Sequence, residues 1–211
     1  MYVPEHFEEN RTEVLHGLMR SHPLAALVTL GASELLVSHI PMLFDAGDGP
    51  FGTLRGHVAR ANPLWQQLGR EIESVAIFQG PQTYITPSWY PSKHAHGKAV
   101  PTWNYAVVHA HGRARAVEDP VWLLSHLSAM TDEQESRQAL PWKVSDAPSE
   151  YIDRMMQAIV GIELPVTTLR GSWKLSQNRP LADRLGVAAG LQSRDDGQSR
   201  SVAALVMQRG G

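Results

Sequence analysis

The chain has 211 residues, 43% of them apolar, enough to bury one substantial core; it has no cysteine, which excludes disulfides, thiolate metal sites and cysteine nucleophiles. Its 19 basic residues face 21 acidic ones for a formal charge of −2, so composition supplies no general electrostatic pull towards nucleic acid. No run approaches the roughly 18 apolar residues of a membrane span, and the acidic start MYVPEHFEEN opens no apolar signal segment, so a reducing cytoplasm is the expected compartment.

Asn10 and Glu13 have capping-box spacing ahead of the stripe Val14, Leu15, Leu18 and Met19, and Pro23 closes this first helix. Apolar runs predict strands at 24–30, 35–43 and 53–58. The turn before the last of these contains Gly47, Gly49 and Gly52, formally G-x-G-x-x-G. A dinucleotide fingerprint must open a helix directly; a strand follows here, so the motif reads as a hairpin turn. Asn62 is a good N-cap and Pro63 a good first residue for a short helix ending near Gly69. The start of that helix, with Arg60 just ahead and His57 on the preceding strand, is a candidate anion site. The plainer alternative is a capped surface helix with a solvated arginine.

Strands 73–78 and 82–86 are expected to be separated by Gly80-Pro81, and 87–101 holds too many prolines and glycines for regular structure. A long strand over 102–117, bent at Gly112, would set Val108, Ala110 and Gly112 on one face and His109, His111 and Arg113 on the other. The stretch 78–112 holds two of the six Trp, three of the five Tyr and four of the ten His. It suits either a flat, partly polar ligand or a rigid connection whose aromatics pack. Asp119 and Pro120 open a helix to about residue 130, and a polar loop fills 131–147. A further helix carries Ile152, Met155, Met156 and Ile159, with methionines as core filler. A strand at 162–169 leads into the polar GSWKLSQNR, and a last short helix spans 181–191. Residues from Gln192 onward are expected to be a disordered tail with a small sticky patch at 201–207. The pattern is one domain over 1–191, mainly β with helices: a meander of strands forming an antiparallel barrel with α elements.

The pairs His94-x-His96 and His109-x-His111 have the spacing of metal ligands, but no carboxylate stands beside them, and no metal is expected. There is no nucleophile elbow and no Walker A loop.

The segments LRGHVARANP, FQGPQTYITPSWYPSKH, VPTWNYAVVHAHG, PWKVSDAP and GSWKLSQNRP, in this order, resemble the PaiB family of FMN-binding negative transcriptional regulators. The resemblance runs from Met1 to about Leu191. It implies an α+β, FMN-binding split β-barrel similar to that of pyridoxamine-phosphate oxidase, and a homodimer with flavin at the subunit interface. It places the FMN phosphate at Gly56, His57, Arg60 and Asn62, with Ser38, His39 and Pro41 on a neighbouring strand and Arg55 as added charge. Trp103, Asn104 and Tyr105 would flank the isoalloxazine, while Lys174 and Gln177, with Ser176 and Asn178, would reach over from the second subunit. The implied function is a regulator responding to flavin occupancy or redox state. The alternative is an FMN-dependent oxidoreductase or flavin reductase using NAD(P)H, since a fold does not set a function. No helix-turn-helix pattern occurs, so direct DNA binding by this chain is not expected.

Overall fold

A computed structural model describes residues 1–69 and 72–208, the side chains of 95 and 96 excepted. After the short strand β1 (Glu8–Glu9), helix α1 (Thr12–Ser21) buries Leu15, Leu18 and Met19 of the stripe read from the sequence, with Val14 at its partly exposed margin. Glu9 anchors its approach, accepting the Arg11 main-chain N–H at 2.9 Å and pairing with the Arg11 guanidinium.

Strands β2 (Leu24–Leu30) and β3 (Leu35–Pro41) form one antiparallel hairpin, and β4 (Leu43–Asp45) and β5 (Thr53–Ala59) a second. The glycine run is the turn of the second hairpin, where Gly49 and Gly52 take φ of 92° and 85°. Beyond β5 the structure departs from expectation. Asn62 does cap the next segment, accepting the Leu64 N–H at 2.9 Å, but Pro63–Gln67 is a single 3-10 turn and not an α-helix. So short a turn builds up almost no axial dipole, and the proposed anion site loses that contribution.

Strand β6 (Ser74–Ile85) runs unbroken through Gly80-Pro81, where two strands were expected. A Cβ on Gly80 would lie 2.8 Å from Leu18 Cδ1 and 3.3 Å from the Ala106 oxygen, so glycine permits a close approach here. Pro81 removes only one N–H from the ladder. Residues 87–101, expected to be irregular, hold a 3-10 turn (Pro87–Trp89) and helix α2 (Pro91–His96), each opened by its proline and the second ended by Gly97 at φ 69°.

Strand β7 (Thr102–Gly112) buries Asn104, Ala106, Val108, Ala110 and Gly112 in strict alternation and separates from β8 (Arg115–Val117) after Gly112. A Cβ at Gly112 would strike the Pro165 carbonyl oxygen. Helix α3 (Pro120–Glu135) runs past its expected end into the predicted loop, α4 (Ser149–Gln157) follows, and β9 (Ile159–Lys174) absorbs both the apolar strand and the start of the polar segment. Helix α5 (Leu181–Gln192) lies where expected. Helix α6 (Gly197–Gln208) stands in place of the disordered tail, because Val202, Ala203 and Val206 fall on one face and are buried. Residues 209–211 of that expected tail lie outside the described residues.

The strands hydrogen-bond in the order β3-β2-β6-β7-β9-β5-β4, with β1 and β8 both pairing with β9. The chain divides into two compact units, each holding part of β6, β7 and β9. The first is Met1–Leu18, Gln79–Val108 and the chain from Arg170 onward; the second is Met19–Phe78 and His109–Leu169. The second unit packs Leu27, Ile40, Leu54, Phe78, Ile162 and Leu164 in its core.

The first unit buries Ile85, Tyr90, Leu175, Val187 and Leu191. Trp89 lies against α5 where Gly186 and Gly190 leave bare backbone: a Cβ on the first would strike the Trp89 carbonyl oxygen, and one on the second the indole ring. Arg194 stacks over the indole at 4.6 Å, and buried Asp183 accepts the Ser92 N–H at 3.0 Å and its hydroxyl at 2.6 Å. Gly186→Ala should therefore destabilise the protein by about 1–3 kcal/mol despite alanine's better helix propensity, because the obstacle is main chain and cannot rotate away. Gly197→Ala, where nothing lies within 4 Å of a new Cβ, should be neutral or stabilising. Urea unfolding of the two variants checks both.

Candidate functional site

The turn after β5 is held by Asn62, which works in two directions. Its oxygen caps Leu64, and its amide nitrogen donates to Ser38 Oγ on β3 at 3.0 Å. Arg60 is fixed by its own chain: Nε donates to the Gln157 carbonyl at 2.9 Å, Nη2 to the Ile159 carbonyl at 3.1 Å, and Nη1 pairs with Glu118 at 2.5 Å. Its guanidinium lies 5.8 Å over Trp65, whose indole N–H returns a bond to the Arg60 carbonyl at 2.9 Å. Three of the five guanidinium N–H groups are used, two remain, and the Glu118 pair is solvent-exposed, where such pairs contribute little. The Ser38 hydroxyl and the two remaining Arg60 N–H groups make a donor set of the chemistry that a phosphate takes. The main-chain N–H groups do not add to it, since Arg60 N binds the Ala158 carbonyl and Asn62 N the Ala59 carbonyl, each at 2.8 Å.

Strand alternation separates the remaining expected phosphate residues. Gly56 faces the core, where a Cβ would lie 2.8 Å from Ile40 and 2.9 Å from Met42 sulfur. Arg55 and His57 face the opposite way and do not join Ser38 and Asn62. His39 and Pro41 stand on the exposed face of β3, opposite Ser38.

In the first unit, Trp103 is half-exposed, donates its indole N–H to Gln82 Oε1 at 3.0 Å, and meets Tyr84 edge-on at 6.3 Å. Tyr105 lines a shallow groove of about 240 Å³ with Gln79, Gly80, Gln82, Ala106 and Val107. Asn104 is fully buried and its amide bonds Ser176 at 3.0 Å. Gln177 folds back on its own turn, accepting the Leu175 N–H at 2.7 Å and donating to the Trp173 carbonyl, while Lys174 lies 5.9 Å over Phe7. The aromatic stretch thus divides: Trp89 and Tyr90 pack, whereas Tyr84, Trp103 and Tyr105 offer surface. His111 pairs with Glu73 at 3.0 Å, and among the described residues no three His, Cys, Asp or Glu side chains gather as a metal site; the His96 side chain lies outside them.

Two residues that sequence reasoning missed organise the second unit. Glu163 accepts from Arg55 Nε at 3.1 Å, from Arg115 Nε at 2.9 Å, from Arg115 Nη2, and from the Trp122 indole at 3.3 Å. Burial alone would raise its carboxyl, but bonds from Arg115 and Arg55 outweigh that and hold it below the usual carboxylate range. A glutamate inside the apolar run IELPV was the available signal. His126 of α3, 3% exposed, bonds His57 through Nε2···Nδ1 at 3.2 Å and stacks on Trp122 at 5.2 Å.

Burial pushes His126 down to about 4 and lowers His57 as well. The unfolded chain then binds more protons below the ordinary histidine pKa, so the stability from the neutral pair is complete above about pH 6.5 and is lost as pH falls towards about 4, by up to about 3 kcal/mol for His126. Urea unfolding between pH 7.5 and 4.5 should show this slope, and His126→Phe should flatten it. An unchanged slope in the variant would disprove the assignment.

Residues 1–168 match the family described as "Putative FMN-binding domain". A protein of Emericella nidulans is 33% identical over 245 residues, covering 100% of this chain and 98% of its own length. The "Protease synthase and sporulation protein PAI 2" of Bacillus subtilis is 28% identical over 206 residues, covering 98% and 96%. Among solved structures, the FAD and heme binding protein from Mycobacterium smegmatis superimposes with a TM-score of 0.60 at 14% identity, over 87% of this chain and 80% of that one. The fold is the mixed α+β flavin-binding split barrel that the sequence motifs implied. With a family match over four-fifths of its length and a homologue matched end to end, the chain belongs to the FMN-binding domain family.

Proposed function

We propose that the chain is an FMN-binding protein of the PaiB type that acts as a negative transcriptional regulator through flavin occupancy or redox state. The observation that carries the FMN assignment is the turn after β5, where Asn62 fixes the Ser38 hydroxyl and two main-chain carbonyls aim Arg60. These residues would hold the phosphate. FMN held there would supply reversible redox chemistry. The regulatory reading draws on the relative whose printed name concerns protease synthesis and sporulation. Direct reading of DNA is not the proposed route. Arg55 and Arg115 pair with Glu163 and Arg60 with Glu118, so these three cations are already engaged. An oxidoreductase using NAD(P)H is the competing reading, and catalytic bleaching of bound flavin by NADH or NADPH would establish it in place of the regulator.

A homodimer is part of the proposal. On the β2–β3 hairpin the pairs Leu24 and Pro41, Ala26 and His39, Val28 and Val37, and Leu30 and Leu35 share one face. The other face is buried, yet Leu24, Leu30, Leu35 and Val37 are each between 48% and 68% exposed. A second copy would cover this apolar face.

Arg60→Ala should weaken FMN by about 1.5–3 kcal/mol, the worth of a charge-assisted hydrogen bond, while affecting riboflavin far less. Titration of the apo-protein with FMN, FAD and riboflavin tests this; equal affinity for FMN and riboflavin would sink the phosphate assignment. Light scattering should show a dimer that Val37→Glu converts to monomer. A wild-type monomer loaded with FMN would rule the dimer out.

A further inference from the structure

We infer that the cavity beneath helix α3 in the second unit is a binding site for a small, flat carboxylate, distinct from the turn assigned to FMN. The cavity is about 570 Å³ and is lined by Arg55, Arg115, Trp122, Ser125, His126 and Glu163 among others. None of these is Ser38, Arg60 or Asn62.

Its charged wall is already compensated in a way that leaves donors over. Both oxygens of Glu163 are engaged, one by Arg115 and the other by Arg55 and Trp122. Arg55 has all three of its nitrogens engaged, with Nη1 on Asp45 at 2.9 Å and Nη2 on Asp48 at 2.6 Å. Arg115 meets Glu163 through Nε and Nη2, so its Nη1 group faces outward from the pair, and its side chain is 64% exposed. Ser125 adds a hydroxyl to the lining. His126 closes the inner side of the cavity: its ring is buried, Nε2 is taken by His57, and Nδ1, itself sealed from the cavity, has no hydrogen-bond partner among the described residues. Buried polar atoms without partners are uncommon because they forfeit their hydration.

The floor suits a planar body. Trp122 and His126 stack on one another, 22° apart with centroids at 5.2 Å, which fixes the indole as one flat wall of the cavity. The free Nη1 side of Arg115 matches a carboxylate, while the two carboxylates of the lining, Glu163 and Asp48, are each already paired with an arginine. The ligand class is therefore an aromatic or unsaturated monocarboxylate, its acid group on Arg115 and Ser125 and its ring against Trp122.

The test uses the full chain with FMN present and absent, and three isosteric probes: benzoate, benzamide and benzamidinium. Benzoate should shift the His126 ring resonances saturably below about 20 mM, with the same affinity in both flavin states, while benzamidinium leaves them unmoved. Arg115→Gln should weaken benzoate at least tenfold, and Arg115→Lys, which keeps the charge and Glu163 paired, should weaken it less. Ser125→Ala, on an exposed helix position, gives a second reading that does not touch the Glu163 network and should also weaken benzoate. The inference is overturned if benzamidinium binds as well as benzoate, if benzoate does not saturate, if Ser125→Ala and Arg115→Lys both bind like the wild type, or if benzoate is displaced by FMN.

Discussion

The second unit depends on one buried carboxylate. Glu163 is 7% exposed and sits at the point where β9 pairs with β5 on one side and β8 on the other, opposite Arg55 and Arg115 respectively. It draws in a guanidinium from each neighbouring strand and an indole from α3, while Arg55 reaches on to Asp45 and Asp48 of its own hairpin. Such a network adds little net stability over a well-packed apolar equivalent, but removing one member leaves a buried charge without its partner, which costs several kcal/mol. What it contributes is register. A slip of one residue in β5 or β8 would turn the arginine of that strand to the other face and leave Glu163 without it.

That register governs the turn where the phosphate is proposed to bind. With Arg55 locked to Glu163, Gly56 must face the core, His57 must face α3, and the strand must end so that Arg60 lies beside the carbonyls of Gln157 and Ile159. Gly56 is required because Ile40 and Met42 fill the space a Cβ would need. A single strand therefore carries two separate sets of polar residues: those at its end that serve the turn, and those on its α3 face that line a cavity of their own. Neighbours in sequence belong to different sites because a strand alternates.

The aromatic stretch shows the same division by a different cause. Trp89 and Tyr90 sit in a segment closed by Asp183, Arg194 and two helix glycines, and act as packing. Trp103 and Tyr84 lie on adjacent long strands at positions that alternate outward, and keep their faces exposed. Prolines at 87 and 91 begin short helices in place of an irregular loop, and those helices decide which rings are turned inward.

The residues alone determined the family and the kind of fold, because five long motifs in order and a meander of apolar runs are local, linear signals. They also determined strand β2, the alternation along β7, the cap at Asn62 and the glycine hairpin, all set by side chains a few residues apart. Only the tertiary structure decided that Gly80-Pro81 lies inside one strand, that the chain after Gln192 is a helix, and that the segment at 63–67 winds too briefly for a dipole. It alone brought Ser38 to Asn62, His126 to His57 and two arginines to Glu163. These pairs are separated by 24, 69, 108 and 48 positions, and no periodicity or local propensity carries information across such distances. They exist because strand pairing sets which distant residues share a face, and burial then requires each polar atom on that face to find a partner.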